Sequence, residues 1–320
     1  MNAAQSVAPQ PSLRILIRIK NTVLRKGDDH ASIQQRRSLA MSIRDILLHL
    51  DPATDNSAEV EAAIRLAKTY DAHLAGLATA ANAELPLYGF AGLSTSVFTA
   101  LDNQVAQEIE RMKSALEAAC DRHGRPAEFR ASRIYDAEAS DVLALHGRHA
   151  DLVVMRQTEP GVRRVGGNDM VENTVVAAGT PVLVIPYTGA SENIGKNIIL
   201  GWDGSREAAR ALKDALPFMQ RADKVHVLVV NPESRGDAHG ELPGADIATH
   251  LARHGMNVDL ATEHTGAVDP ANLILSRAAD FGADLLVMGA FAHSRLQQTL
   301  FGGFTTTILQ EMTLPVLLSH

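Results

Sequence analysis

The stretch GAFAHSRLQQTLFGGFTT (289–306) follows the apolar run LLVM and holds Gly289, Gly302, Gly303 and paired threonines. Gly302–Gly303 is placed to open a helix with Thr305, Thr306 and Thr307 in its first turn. A helix N-terminus offers unpaired N–H groups and the positive end of the dipole, so the chemistry such a segment suits is anion and above all phosphate binding. Glycine lets backbone approach closely, and a threonine hydroxyl adds a hydrogen bond. The plainer reading of the same residues is a tight Gly–Gly turn before a capped helix, because short glycine patterns are weak signals.

Other reactive residue types carry less. His293–Ser294 pairs a base with a hydroxyl, but there is no G-x-S-x-G elbow and no third orienting group, so both read as loop residues near the phosphate position. Asp203 reads as a turn former, with no second carboxylate to share acid–base work. His250 and His254 have ligand-like spacing, yet HLARH lacks the glutamate of H-E-x-x-H and reads as an exposed helix face, leaving no metal motif. GASENIGKN (189–197) has the wrong glycine spacing for a P-loop and precedes a strand, so it reads as a linker. Arg163 and Arg164 read as exposed loop arginines.

The elements that must position these residues come in two copies. ADLVVM (150–155) returns as ADLLVM (283–288), TPVLVIP (180–186) as LPVLLSH (314–320), and IRDILLHLDPATDNS (43–57) as GKNIILGWDGS (195–205), with Asp51 matching Asp203. The first copy is longer, and its extra length is expected around 83–105. Each copy alternates uninterrupted apolar runs with helical spacing, as in Ala208, Leu212, Ala215, Leu216 and Met219 behind a Ser205 cap. Asn56 and Glu59 are expected to form a capping box for the helix of Val60, Ala63, Ile64 and Ala67. Such alternation means parallel strands covered on both faces, hence an α/β fold of two tandem doubly wound domains, each with a mostly parallel five-stranded sheet. Ligands in such sheets bind beyond the carboxyl ends of the strands, where strand order reverses. The expected divisions are a basic, disordered extension at 1–40, a first domain at 41–188 and a second at 195–320. The strands PVLVIP and PVLLSH are expected to meet, since unpaired sheet edges are contact surfaces.

At this point ILGWDGS, ADLLVMGAFAHSRL, FGGFTT and the terminal PVLLSH resemble the universal stress protein family, over about residues 41–320 and most specifically in the second copy. The resemblance implies the adenine nucleotide alpha hydrolase-like fold and an ATP site in the second domain only. The family's ATP-binding pattern is G-x2-G-x9-G-[S/T]. Gly289 matches its first glycine and Gly302 its third, while Ala292 stands at the second and Gly303 at the Ser/Thr position. By position, Asp203 would face the adenosine, Val230 would offer backbone to adenine, and Met288 and Gly289 would line the ribose and phosphate side. Ala292 and His293 would sit in the loop, and Gly302, Gly303, Phe304 and Thr305 would supply amides and one hydroxyl to the phosphates. Where a left-handed backbone is needed, Ala292 costs about 1 kcal/mol; Gly303 forfeits a hydroxyl but keeps its amide. In the first copy Arg156 replaces Gly289, and Asp169 and Glu172 stand where phosphate would dock, so no nucleotide is expected there. The resemblance implies a stress-responsive nucleotide sensor or regulator, at most a slow ATP hydrolase. The alternative is a scaffold without nucleotide that acts through protein contacts.

Bulk composition sets the bounds. With 46% hydrophobic and 21% charged residues the chain is ordinary for a globular protein. Residues 1–40 carry seven basic side chains against Asp28 and Asp29, so the rest is strongly acidic in a chain of net charge −7. That argues against nucleic acid as a partner. No run of about 18 apolar residues suggests a membrane span, and the basic N-terminus lacks the apolar core of a secretory signal. The single cysteine, Cys120, fits a reducing compartment and a cytoplasmic location. A homo-oligomer formed through sheet-edge strands is also expected.

Overall fold

The apolar runs LVVM (152–155) and LLVM (285–288) become strands whose residues are buried on both faces. The computed structural model describes residues 42–81, 95–134, 138–162, 164–233, 242–291 and 303–320. The first half contributes β1 (Asp45–Leu50), α1 (Ser57–Tyr70), β2 (His73–Ala81), α2 (Thr95–His123), β3 (Glu128–Ile134), α3 (Ala139–Gly147), β4 (Leu152–Arg156), α4 (Met170–Ala178) and β5 (Val182–Ile185). The second contributes β6 (Asn197–Gly201), α5 (Arg206–Met219), β7 (Lys224–Val230), α6 (Ala245–Arg253), β8 (Val258–Glu263), α7 (Pro270–Asp280), β9 (Leu285–Gly289), α8 (Phe304–Glu311) and β10 (Val316–Ser319). Among the described residues no helix is long and apolar enough to cross a membrane.

The ten strands form one sheet in the order β3-β2-β1-β4-β5-β10-β9-β6-β7-β8. All pairs are parallel except β5 with β10, where Val182, Leu183 and Val184 oppose Leu318, Leu317 and Val316. The two repeated PVL segments therefore meet, as their edge character requires. In each half the order reverses at the first strand, between β1 and β4 and between β6 and β9. The registers correspond: Ile46 lies beside Leu152, and Ile198 beside Leu285.

The repeated aspartate explains why ADL recurs. The Asp151 carboxylate accepts the N–H groups of Arg44 and Asp45 at 2.7 and 3.0 Å. Asp284 accepts those of Gly195, Lys196 and Asn197 at 2.9, 3.1 and 3.1 Å. Each aspartate thus ties the entry of the fourth strand to the entry of the first, and satisfies donors that precede the ladder.

Helix starts follow local chemistry. Ser205 Oγ accepts the Ala208 N–H at 3.0 Å, as its position before the apolar stripe predicts. Asp269 caps α7, with Pro270 at the first helical position. The capping box expected at Asn56 and Glu59 does not form. The Asn56 side chain instead accepts the Asp51 N–H at 2.9 Å and donates to the Asp51 and Thr54 carbonyls, closing the turn after β1, while Glu59 is buried. The added length of the first copy lies between β2 and β3, where α2 has 29 residues and its counterpart α6 has 9.

Leu317 is fully buried between β5 and β9. Leu317→Ala is expected to cost about 2–5 kcal/mol. Because β10 belongs to both half-sheets, urea unfolding followed by circular dichroism should show one transition before and after the change; two separated transitions would mean that the halves fold independently.

Candidate functional site

In the second half the carboxyl ends of β9, β6 and β7 stand side by side. Gly289 ends β9, Val230 ends β7, and Asp203 lies two residues beyond β6. This is the crevice at the reversal of strand order where doubly wound sheets receive ligands. Asp203 Oδ1 accepts the Ser205 N–H at 2.9 Å, so this carboxylate shapes the turn into α5. Val230 is partly buried against the core. The Met288 side chain is 3% exposed and packs among core residues, so what Met288 turns to the crevice is backbone.

Gly289 has a packing role of its own. A methyl group there would lie 2.5 Å from the Ala208 nitrogen and the Glu207 carbonyl carbon, so the first turn of α5 rests directly on this residue. Beside it, burial pushes the Glu207 carboxyl up, while Arg206, its own backbone N–H and His320 together bring it below the ordinary value. Glu207 is thus a carboxylate facing a cationic neighbour, with Arg206 Nε its hydrogen-bond donor.

The last helix reaches the same place. Gly303 is the N-cap of α8 with φ −68° and ψ 143°. The first helical bond runs from the Thr307 N–H to the Gly303 carbonyl at 3.0 Å, so the N–H groups of Phe304, Thr305 and Thr306 come before the ladder. Thr305 is buried and its Oγ1 accepts the Phe291 N–H at 3.5 Å, joining the β9 loop to the first turn of α8. Phe291 itself has φ +57°, a left-handed backbone uncommon for a bulky residue. Phe304 is 38% exposed. Of the expected site residues, Asp203, Val230, Met288, Gly289, Gly303, Phe304 and Thr305 are described, and Ala292, His293 and Gly302 lie outside the described residues. His250 and His254 are exposed, with rings edge to face at 4.8 Å. Among the described residues no group of three metal-ligating side chains is found.

The matching crevice of the first half is filled by its own side chains. Arg164, expected as an exposed loop residue, is fully buried, and its Nε donates to Asp51 Oδ2 at 3.0 Å. Its Nη1 donates to the Arg156 carbonyl at 2.8 Å. The other oxygen of Asp51, the residue matching Asp203, accepts the Ala53 N–H at 2.9 Å. Arg156, which replaces Gly289, donates to the carbonyls of Asp55 and Tyr187 at 2.6 and 3.1 Å and lies 3.5 Å from Glu59 Oε2. The exposed reading of Arg164 fails because the Asp51 carboxylate, just past β1, and the Arg156 carbonyl receive its donors and let the guanidinium be buried. The signal available in the sequence was the coincidence of Arg for Gly at position 156 with an Asp retained at 51.

Burial governs the titration of this cluster. It pushes Glu59 up to about 7, against the opposing pull of its own backbone N–H, Arg156 and Arg164. It lowers His49, whose Nε2 meets Thr79 Oγ1 at 2.8 Å, to about 4, with Asp51 opposing and Arg164 assisting. The second crevice, by contrast, has Gly201 at the place of His49 and Gly289 at the place of Arg156.

Comparison with known proteins follows the same division. Residues 195–320 match the model of the Universal stress protein family, and this part of the chain is a universal stress protein domain. The universal stress protein Slr1230 of Synechocystis sp. is 26% identical over 149 residues, which are 46% of this chain and 49% of that protein; the match thus spans about half of that relative. A universal stress protein from Archaeoglobus fulgidus DSM 4304 has the same fold over 87% of this chain and 97% of its own, with TM-score 0.67 at 15% identity. The functionally unknown protein PA1789 of Pseudomonas aeruginosa PAO1 covers 88% of this chain and 94% of its own, with TM-score 0.53 at 17% identity. The α/β fold of that structure therefore extends across both halves.

Two outcomes test the filled crevice. Arg164→Met strands the Asp51 carboxylate and should lower the unfolding free energy by about 3–5 kcal/mol in urea titrations. The folded chain holds the Glu59 proton more tightly than the unfolded chain, so its stabilisation is complete below pH 4.5 and lost as pH rises through about 7. His49 acts in the opposite sense, stabilising above pH 6.5 and losing this as pH falls through about 4. The unfolding free energy of Glu59→Gln relative to the parent should therefore rise by about 3 kcal/mol between pH 4.5 and 7; a gap that does not change with pH would remove Glu59 as a titrating group.

Proposed function

We propose that the second half binds one adenine nucleotide, ATP, in the crevice formed by Asp203, Val230, Met288, Gly289, Gly303, Phe304 and Thr305, with Ala292, His293 and Gly302 as further expected contacts. The reading gives the chain the role of a nucleotide-dependent sensor or regulator. The observation that carries it is the convergence, at the reversal of strand order, of the β9 end with the first turn of α8 through the Phe291–Thr305 hydrogen bond. Membership of residues 195–320 in the family supports the same reading.

These residues suit the ligand in kind. The N–H groups of Phe304, Thr305 and Thr306 are donors at the positive end of a helix, which favours phosphate oxygens. The Thr305 hydroxyl retains its own proton to donate while accepting from Phe291. Asp203 follows the central strand, where a carboxylate accepts hydroxyl protons such as those of a ribose. In the first half Arg164 and Arg156 occupy the equivalent volume, so one nucleotide is expected per chain. We place self-association through a sheet edge at β3 or β8, because β5 and β10 are already paired within the chain.

Gly303→Glu is the discriminating change. Its φ of −68° suits any residue, so the fold is kept, and a carboxylate at a helix start is stabilising. The same charge repels phosphate. Calorimetric titration should give one ATP per parent chain and at least about a tenfold loss of affinity in the variant, equal to 1.4 kcal/mol. Absence of heat from the parent would favour a scaffold acting through its surfaces, and equal affinity in the variant would put the nucleotide elsewhere.

A further inference from the structure

A cavity of about 180 Å³ lies where the two halves meet, away from both crevices. It is lined by Arg65, Thr69 and Tyr70 of α1, by Glu192 and Lys196 of the connecting segment, and by Arg221 just past α5. The lining thus holds three cationic residues and one acidic one. Asp284, whose carboxylate accepts the Lys196 N–H, is taken up by three backbone donors.

The cations are prepared for an oxyanion. Arg65 Nη2 donates to the Ser191 carbonyl at 3.3 Å, which fixes the side chain, while its buried Nε–H has no partner among the described residues. The Arg221 guanidinium lies 5.5 Å above the centre of the Tyr70 ring. Tyr70 is itself held edge-on against Phe218 at 5.5 Å. Stacking of this kind fixes the guanidinium plane and leaves its N–H edge available. Among the described residues no ion pair engages Lys196 or Arg221. Burial raises the Tyr70 phenol above its ordinary range, so it stays a neutral donor.

Size restricts the occupant. Drug-sized ligands fill about 300 Å³ or more, so a space of about 180 Å³ matches a small anion better than a whole nucleotide. Planar guanidinium forks match the oxygen geometry of phosphate, with Lys196 as an added point charge.

We infer that this cavity binds a small phosphate dianion, either inorganic phosphate or the phosphate of a small monoester, through Arg65, Lys196 and Arg221. Because Arg65 belongs to the first half and Arg221 to the second, occupancy stabilises the junction between them in proportion to the ligand bound.

The test is calorimetric titration of the full chain with inorganic phosphate and with methyl phosphate, against chloride at matched ionic strength, together with thermal melting. Phosphate should bind and raise the melting temperature where chloride does not. Tighter binding of the free ion or of the ester tells which of the two the cavity serves. Arg221→Gln alters an exposed side chain and should weaken phosphate about tenfold, with a larger loss in the Arg65→Gln/Arg221→Gln pair. Gly303→Glu should leave phosphate binding unchanged, which separates this cavity from the nucleotide crevice. Lack of binding by both phosphates, equal stabilisation by chloride, or unaltered affinity in Arg221→Gln would overturn the inference.

Discussion

The antiparallel pairing of β5 with β10 is the contact on which the rest of the molecule rests. Each strand is the last of its half, and either one left alone would present a row of unpaired backbone groups at a sheet edge. Joined, they turn two five-stranded sheets into one of ten, and the residues on both sides of the seam are fully buried. The same pairing brings α1 close to α5, so that Tyr70 meets Phe218 and Arg65 reaches the connecting segment at Ser191. The only strand edges left in the described sheet are β3 and β8, far from the seam.

Around that seam two crevices of the same origin have taken different physical forms. In the second half, Gly289 lets the first turn of α5 settle onto the strand end, and backbone donors of α8 come alongside. In the first half, Arg156 stands at that place and everything near it answers to the charge. Glu59 is drawn inside rather than capping its helix, Asn56 is committed to the turn, and Arg164 is sealed against Asp51. The opposite shifts of Glu59 and His49 have one cause, the exclusion of water from the cluster. One crevice thus offers donors outward, and the other is filled by its own charged side chains.

Strands, helix starts and the meeting of the two PVL segments were legible because each rests on a local pattern. Uninterrupted apolar runs mark strands covered on both faces, and Ser205 or Asp269 mark helix starts by their own hydrogen bonds. The buried cluster was not legible. Arg164 sits among loop residues in the sequence, and nothing local announces that Asp51, over a hundred positions earlier, lies 3.0 Å from it. Asn56 and Glu59 fit the capping-box spacing and were still claimed by tertiary partners. Gly289 shows a subtler limit: glycine is required there by the packing of α5, a reason that a phosphate-loop pattern does not contain.

The covalent joining of the two halves through residues 186–196 has a consequence for what mutation is able to do. In a symmetric pair of identical chains, any substitution appears twice, and an arginine placed at a strand end would fill both crevices at once. Here the pseudo-equivalent positions 156 and 289 are encoded separately. A charge introduced at one leaves the other untouched, so one half is free to become internal ballast for the shared sheet while its twin keeps glycine at the strand end.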